Sequence, residues 1–435
     1  MKIDFVRESA IKILNEIEEK YAYSNIALDE YIKKNKQKLN NKDIGFLSEL
    51  VYGTVMWKMT LDKIIEIHSR IKLKKISKWV QIILRIGIYQ IIFLDKIPVS
   101  AAVNESVNLA KKYAAKSVGF VNAILRKVTK EDYEKILNIK DKEEQLAYSF
   151  SMPEWIIKEL KKDYKIEVVE EICKQSTLKP KTTVRVNCLK TTKQELMTKL
   201  LERKIEYEET DMDYFLQIKA KNLSTLDLFI DGYFTVQDMS AGMASYILNP
   251  KLGDTVLDAC SAPGGKTTYL AELMQNSGKI IAWDIYEHRL EFVKQKAKQL
   301  GIDIIQIEKH DATQYKKEYE EKFDKILLDV PCMGLGVIKR KPDIKWRRAK
   351  SDILEISKIQ KEILETCSKY LKKGGELVYS TCSILKEENQ NIITDFLNKN
   401  PMFEISLDKN GKKVEKVILP DEKQDGFYIC KLKKK

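Results

Sequence analysis

Apolar residues recur every three to four positions through the first third of the chain, the spacing that lines one face of a helix. "LRIGIYQIIFL" (84–94), "AAVNESVNLAKKYA" (101–114) and "GFVNAILRKV" (119–128) carry it most clearly. Pro98 separates the first two stretches, and Ser100 is the expected cap of the second. Charged residues thicken in "NIKDKEEQ" (138–145), which reads as a linker or a last frayed helix. An all-α domain is expected over 1–145.

The texture then changes twice. From 146 to 234, helical stretches at 153–162 and 192–203 flank strand-like "KTTVRVNCL" (181–189), which predicts a small α+β subdomain. From 235 to 435, short apolar runs alternate with helical stretches such as 287–299 and 351–372. The runs are "TVLDAC" (255–260), "KIIAWD" (279–284), "IDIIQI" (302–307), "DKILLDV" (324–330) and "GELVYS" (375–380). Strand–helix alternation of this kind predicts an α/β, doubly wound, Rossmann-like parallel sheet. The chain is thus expected to be multidomain.

The 44% apolar content is enough for cores of ordinary size, so composition changes this picture little. Charge changes it more. A formal net charge of +13 points to a polyanionic partner, nucleic acid first. Two basic stretches stand out: "RIKLKKISK" (70–78), and "IKRKPDIKWRR" (338–348) with Trp346 among its cations. Both are candidates for RNA phosphates, the second because it follows a cysteine-bearing turn.

The seven cysteines are odd in number and widely spread, with no CxxC pair for zinc, so no metal site is expected. "MKIDFVRESAIKIL" is not a signal peptide, and no run approaches twenty uncharged apolar residues. A cytoplasmic location with no membrane contact is expected, the reducing compartment in which unpaired thiols persist.

The candidate chemistry lies at the carboxyl ends of the predicted strands. "DACSAPGGKTTYLAEL" (258–273) runs from strand through a glycine turn into a helix, where backbone amides can meet a ligand. A P-loop would need glycine at position 260, which is cysteine, so the ATPase reading loses its phosphate nest. Asp284 ends the next strand, where a carboxylate can accept both hydroxyls of a ribose. Asp311 ends the third, in reach of an adenine amino group. Without a full G-x-G-x-x-G, an S-adenosylmethionine site fits better than a dinucleotide site.

Two further strand ends carry thiols, Cys332 in "LLDVPCMGLG" and Cys382 in "YSTCSILKEEN". Beside a methyl donor, a thiolate suits cytosine. Its addition to carbon 6 makes carbon 5 nucleophilic, and elimination later restores the ring. A carboxyl group at the N3 edge, Asp329, would assist. His68, His288 and His310 lie outside both motifs, so helix-terminal amides or Lys266 must activate the thiol. A zinc deaminase would need P-C-x-x-C, and "PCMGLG" lacks the second cysteine. Cys173, Cys188, Cys367 and Cys430 are expected to be small packing residues.

"DACSAPGGKT" (258–267), "DVPCMG" (329–334) and "STCSILKEEN" (380–389) resemble the motifs of the Nop/Sun family of RNA cytosine-C5 methyltransferases. The resemblance implies that Cys382 is the nucleophile and that Cys332 assists product release. It implies S-adenosylmethionine contacts from Cys260, Ser261, Ala262, Pro263, Gly264, Gly265 and Lys266, and from Asp284, Asp311 and Asp329. The family's "RVN" element appears as Arg185, Val186 and Asn187, while Met333 and Leu335 replace its usual serine and threonine. Residues 46–65 and 84–128 resemble the NusB-like RNA-binding domain. A NusB-like domain joined to such a methyltransferase is the arrangement of the RsmB (Sun/Fmu) type. That implies small-subunit (16S) ribosomal RNA as substrate and a monomeric enzyme. Two alternatives stay open: another rRNA or a tRNA cytosine as target, and a non-catalytic NusB-type assembly factor.

Overall fold

In the computed structural model, which describes residues 3–220 and 223–435, the helical spacing of the first third becomes a set of packed helices. Two units are present: residues 1–177 with 338–348, and residues 178–337 with 349–435. In the first, helix Lys78–Phe93 is apolar nearly all round and is buried accordingly. Helices Phe5–Lys20, Asn41–Met56, Lys58–His68 and Val99–Tyr113 share its core. Its one buried cation, Arg85, is met by Asp62 and Glu18, each at 2.6 Å.

Three expectations change here. Helix Val99–Tyr113 begins one residue before Ser100, and Pro98 occupies the cap position with φ −59°; a fixed φ starts the helix without a hydroxyl cap. The charged stretch after 138 is an ordered helix, Lys142–Ser149, whose cap Asp141 accepts the Glu144 N–H at 2.8 Å. The basic segment 338–348 is built into the helical unit. Lys345 donates to the carbonyl of Met56, and the Trp346 indole to that of Val55, both at 2.7 Å. These are terminal carbonyls of helix Asn41–Met56, which no later turn of that helix can satisfy. Arg347 donates to the carbonyl of Ala22, and Asp343 accepts from Ser24 at the start of helix Ser24–Lys34. Lys339 and Lys345 are buried, and Lys345, Trp346 and Arg347 serve helix ends, whereas Lys341 is exposed. Arg70, Lys72, Lys74, Lys75 and Lys78, by contrast, are all exposed.

The second unit opens with an antiparallel sheet in the order β2-β3-β1-β4. Its strands are β1 (Thr182–Val186), β2 (Glu206–Glu209), β3 (Phe215–Lys219) and β4 (Phe234–Val236). The larger sheet has the order β10-β12-β9-β8-β5-β6-β7, with β11 paired to β12. It comprises β5 (Thr255–Asp258), β6 (Lys279–Asp284), β7 (Ile305–Lys309), β8 (Phe323–Asp329), β9 (Leu371–Thr381), β10 (Phe403–Ile405), β11 (Glu415–Ile418) and β12 (Phe427–Lys434). Strands β5 to β9 are parallel, and β12 adds antiparallel to β9. Residues such as Leu257, Ile281, Ile326, Leu328 and Leu377 are buried, as expected for strands covered on both faces. Strand order reverses between β5 and β8. A crevice opens at the carboxyl ends of strands that diverge in this way.

Candidate active site

The turn after β5 sits at that reversal. Gly264 adopts φ +92°, which suits glycine, and a Cβ there would stand 3.0 Å from the Cα of Val293. Helix Gly265–Leu273 follows at once, so its first amides face the turn. Asp258, at the end of β5, is fully buried. Its Oδ2 accepts from Thr267 at 2.7 Å, while its Oδ1 has no protein partner among the described residues. Burial pushes its carboxyl up to about 7. An unsatisfied carboxyl oxygen at such a turn invites a ligand donor. Sequence reasoning missed this role, although the residue closes an apolar strand just before the glycines.

The "RVN" element braces the turn from β1. Arg185, fully buried, donates to the Gly265 carbonyl at 2.7 Å, to Thr268 at 3.1 Å and to Glu272 at 2.6 and 3.0 Å. Gln237 accepts from it as well. Asn187 donates to the carbonyls of Gly232 and Leu300, tying down the end of helix Glu287–Leu300. Both side chains therefore hold the elements that flank the glycine turn.

Asp284 stands at the end of β6, 5% exposed, accepting the Tyr286 N–H at 3.0 Å and paired with Arg289 at 3.2 Å. Arg289 also donates to the Ala262 carbonyl at 3.0 Å, linking this carboxylate to the glycine turn. Asp311 lies just beyond β7. It is exposed, and its Oδ1 accepts from Thr313 N–H and hydroxyl at 3.0 and 2.8 Å. The thiol of Cys260 is pushed well above the ordinary range by burial, so this residue contributes backbone and packing to the turn.

Strands β8 and β9 bring the remaining residues together. Asp329 ends β8; its Oδ2 accepts from Lys266 at 2.7 Å and its Oδ1 from Ser380 at 3.1 Å. Burial opposes the Lys266 charge, but Asp329 outweighs it and holds the ammonium above the ordinary lysine value. The Phe427 ring lies 5.0 Å from the same ammonium. The two thiols stand side by side: Cys332 Sγ and Cys382 Sγ are 3.0 Å apart, each half-buried. The hydrogen bond to Cys382 and then burial raise the Cys332 thiol well above its ordinary pKa. The field of Lys266 reaches Cys382. Gly336 donates to the Cys382 carbonyl at 2.9 Å and accepts from Gly426 N–H at 2.8 Å. A Cβ on Gly336 would meet the Gly426 oxygen at 2.1 Å, so only glycine lets these strands of chain pass.

Cys173, Cys367 and Cys430 are buried, and Cys188 is half-buried against the Glu272 carbonyl. His68 pairs with Asp132, His310 with the Gln314 carbonyl, and the His288 ring neighbours Tyr286, so none of the three serves a thiol.

A Rossmann-like sheet with a glycine turn, acids on successive strand ends and paired thiols defines a methyltransferase. The comparisons specify which kind. The family model "16S rRNA methyltransferase RsmB/F" matches residues 245–433, that of the NusB family residues 5–130, and the RsmF/B-like ferredoxin-like domain residues 152–220. The probable ribosomal RNA small subunit methyltransferase B of Bacillus subtilis is 38% identical, with 100% of both chains covered. Ribosomal RNA small subunit methyltransferase B of Shewanella oneidensis is 34% identical, with 99% of each covered. The crystal structure of PH0851 superposes with TM-score 0.81 at 29% identity over 100% of both chains. NSun6 from Pyrococcus horikoshii, solved with SFG, shares the fold at 22% identity and TM-score 0.58, over 65% of this chain and 98% of its own. The chain belongs to the RsmB/F family of 16S rRNA methyltransferases, in its NusB-bearing form.

Proposed function

We propose that this chain methylates carbon 5 of a cytosine in 16S ribosomal RNA by covalent catalysis, with Cys382 as nucleophile and Cys332 as release group. The observation that carries the reading is the 3.0 Å contact between two thiols from different strand ends, beside the Lys266–Asp329 pair. Family membership supports the substrate.

The residues fit S-adenosylmethionine. The turn Cys260–Lys266 offers backbone amides, and Asp284 a carboxylate for ribose hydroxyls. Asp311 suits the adenine amino group, and the free oxygen of Asp258 suits an ammonium. When bound, S-adenosylmethionine supplies the electrophilic methyl group that carbon 5 takes up.

The protein's own groups do the rest. Cys382 thiolate adds to carbon 6, forming the S–C bond and sending an electron pair toward N3. A proton passed from the Lys266 ammonium through the Asp329 carboxyl to N3 neutralises that charge, and it returns by the same path on elimination. After methylation, carbon 5 gives its proton to a solvent water, and the C–H electron pair forms the ring double bond and expels Cys382 as thiolate. Cys332 stays a thiol and donates to the departing sulfur. The exposed cations of 70–78 suit RNA phosphates.

The test is denaturing electrophoresis after incubating each variant with 16S rRNA and S-adenosylmethionine. Cys332→Ala accumulates a slow protein–RNA band, and Cys382→Ala gives neither band nor methylation. A band from Cys382→Ala would reverse the roles. Methylation by both variants without a band would end the covalent reading.

A further inference from the structure

The stretch 380–389 draws attention for its cysteine, yet its last residues, Glu388 and Asn389, are fully buried polar groups of unassigned purpose. Glu388 Oε1 accepts the Met333 N–H at 2.7 Å and the Gln360 amide at 3.1 Å, and Oε2 accepts the Ser383 hydroxyl. The same Gln360 amide donates to the Pro331 carbonyl at 2.8 Å. The backbone on both sides of Cys332 is thus fastened by one carboxylate–amide pair. Asn389 does the equivalent for Cys382. Its Oδ1 accepts from Thr381 at 2.6 Å and its Nδ2 donates to the Ser383 carbonyl at 3.1 Å.

These contacts exceed what packing needs. A buried carboxylate is costly unless its hydrogen bonds are made, and a charged acceptor on a backbone N–H makes a strong one. Residues 330–334 have no regular secondary structure to fix Cys332, so side chains must do so.

We propose that Glu388 and Asn389 are positioning residues for the two thiols: Glu388, with Gln360, seats the turn of Cys332 and also holds Ser383 beside Cys382, and Asn389 seats the turn of Cys382. The inference rests on the reading of Cys382 as nucleophile and Cys332 as release group. The charge of Glu388 joins the Cys382 hydrogen bond and burial in keeping Cys332 protonated, as a donor to a departing thiolate must be. Loss of Glu388 frees the Cys332 turn. The Cys382 turn loses the Ser383 hydroxyl contact but keeps both Asn389 bonds and the Gly336 N–H. Attack survives and departure fails.

The experiment uses the full chain, a 16S rRNA transcript and S-adenosylmethionine, with Cys332→Ala run alongside. Glu388→Ala should accumulate the covalent band that Cys332→Ala does, and adding Cys382→Ala should abolish it. Glu388→Gln, which keeps an acceptor for Met333, should restore turnover to within about tenfold of the parent, the worth of one hydrogen bond. Asn389→Ala should lower turnover by about 100-fold, the cost of a displaced reacting group, with no band even when combined with Cys332→Ala. Should Glu388→Ala fail to fold, Gln360→Met decides, and a fainter band is expected. Absence of a band from the Glu388 or Gln360 variant while Cys332→Ala shows one, or a band from Asn389→Ala, overturns the assignment. Absence from Cys332→Ala itself overturns the underlying covalent reading instead.

Discussion

Replacing Arg185 by methionine tests whether the small sheet holds the glycine turn. Arg185 and Glu272 are both 0% exposed and joined at 2.6 Å, and the guanidinium makes five hydrogen bonds in all. Arg185→Met leaves the Glu272 carboxyl buried without its cation. Burial already raises the Glu272 pKa against the pull of Arg185, so the variant forces that carboxyl toward its neutral form. Breaking a buried pair from one side costs roughly 3–5 kcal/mol, whereas replacing both partners by apolar groups is often neutral or better. Urea unfolding should show that loss for Arg185→Met, and recovery of most of it in Arg185→Met/Glu272→Met. The double variant still lacks the bond to the Gly265 carbonyl, so calorimetry should find S-adenosylmethionine affinity reduced even where stability returns. A loss under about 1 kcal/mol for the single variant, or no recovery in the double, would show that the pair does not carry this strain.

Lys345 is buried without a carboxylate beside it among the described residues, and burial lowers its amine to about 7. Unfolded, the same amine titrates near 10.4. Between these values the unfolded chain holds the extra proton, so stability rises with pH by up to about 1.4 kcal/mol per unit. The penalty is full below about pH 7. Lys345→Met should flatten that rise in urea unfolding followed by tryptophan fluorescence between pH 7 and 9.5; parallel slopes would refute it. Asp284→Ala should weaken S-adenosylmethionine by about 1.5–3 kcal/mol, the range for hydrogen bonds to a charged group. An unchanged dissociation constant would remove the carboxylate from the ribose site. Neutralising Lys72, Lys74, Lys75 and Lys78 should lower the log–log salt slope of RNA binding by roughly 0.7–0.9 per lost phosphate contact. Arg347→Met should leave that slope alone, its guanidinium being committed to the Ala22 carbonyl.

What the sequence disclosed is what one segment encodes by itself. The strand before Asp258, the glycine turn, and the carboxyl ends at Asp284, Asp329 and Cys382 follow from apolar runs, φ-permissive residues and chain direction. The helix cap at Ser100 failed because the helix begins one residue earlier, at Val99, after Pro98 with its fixed φ and with no side-chain cap. The basic segment was legible only in part, because its charges outnumber its apolar positions. Only the fold reveals that its donors fit the orphan carbonyls of Val55 and Met56.

The same limit explains why Glu388 and Asn389 lay unread inside a motif already in view. Their partners are Met333, Gln360, Thr381 and Ser383, and no periodicity joins positions 333, 360 and 388. A motif spelled "STCSILKEEN" therefore encodes two things at once: a thiol at a strand end, and the polar groups that fold back onto the thiol turns. The chemistry requires both. On the proposed reading, two thiols 3.0 Å apart divide attack from departure, and Glu388 joins both turns through Met333 and Ser383 while Gln360 and Asn389 each serve one. Gln360, bonded only on the Cys332 side, and Asn389, bonded only on the Cys382 side, are therefore the substitutions expected to separate the two half-reactions without touching either sulfur.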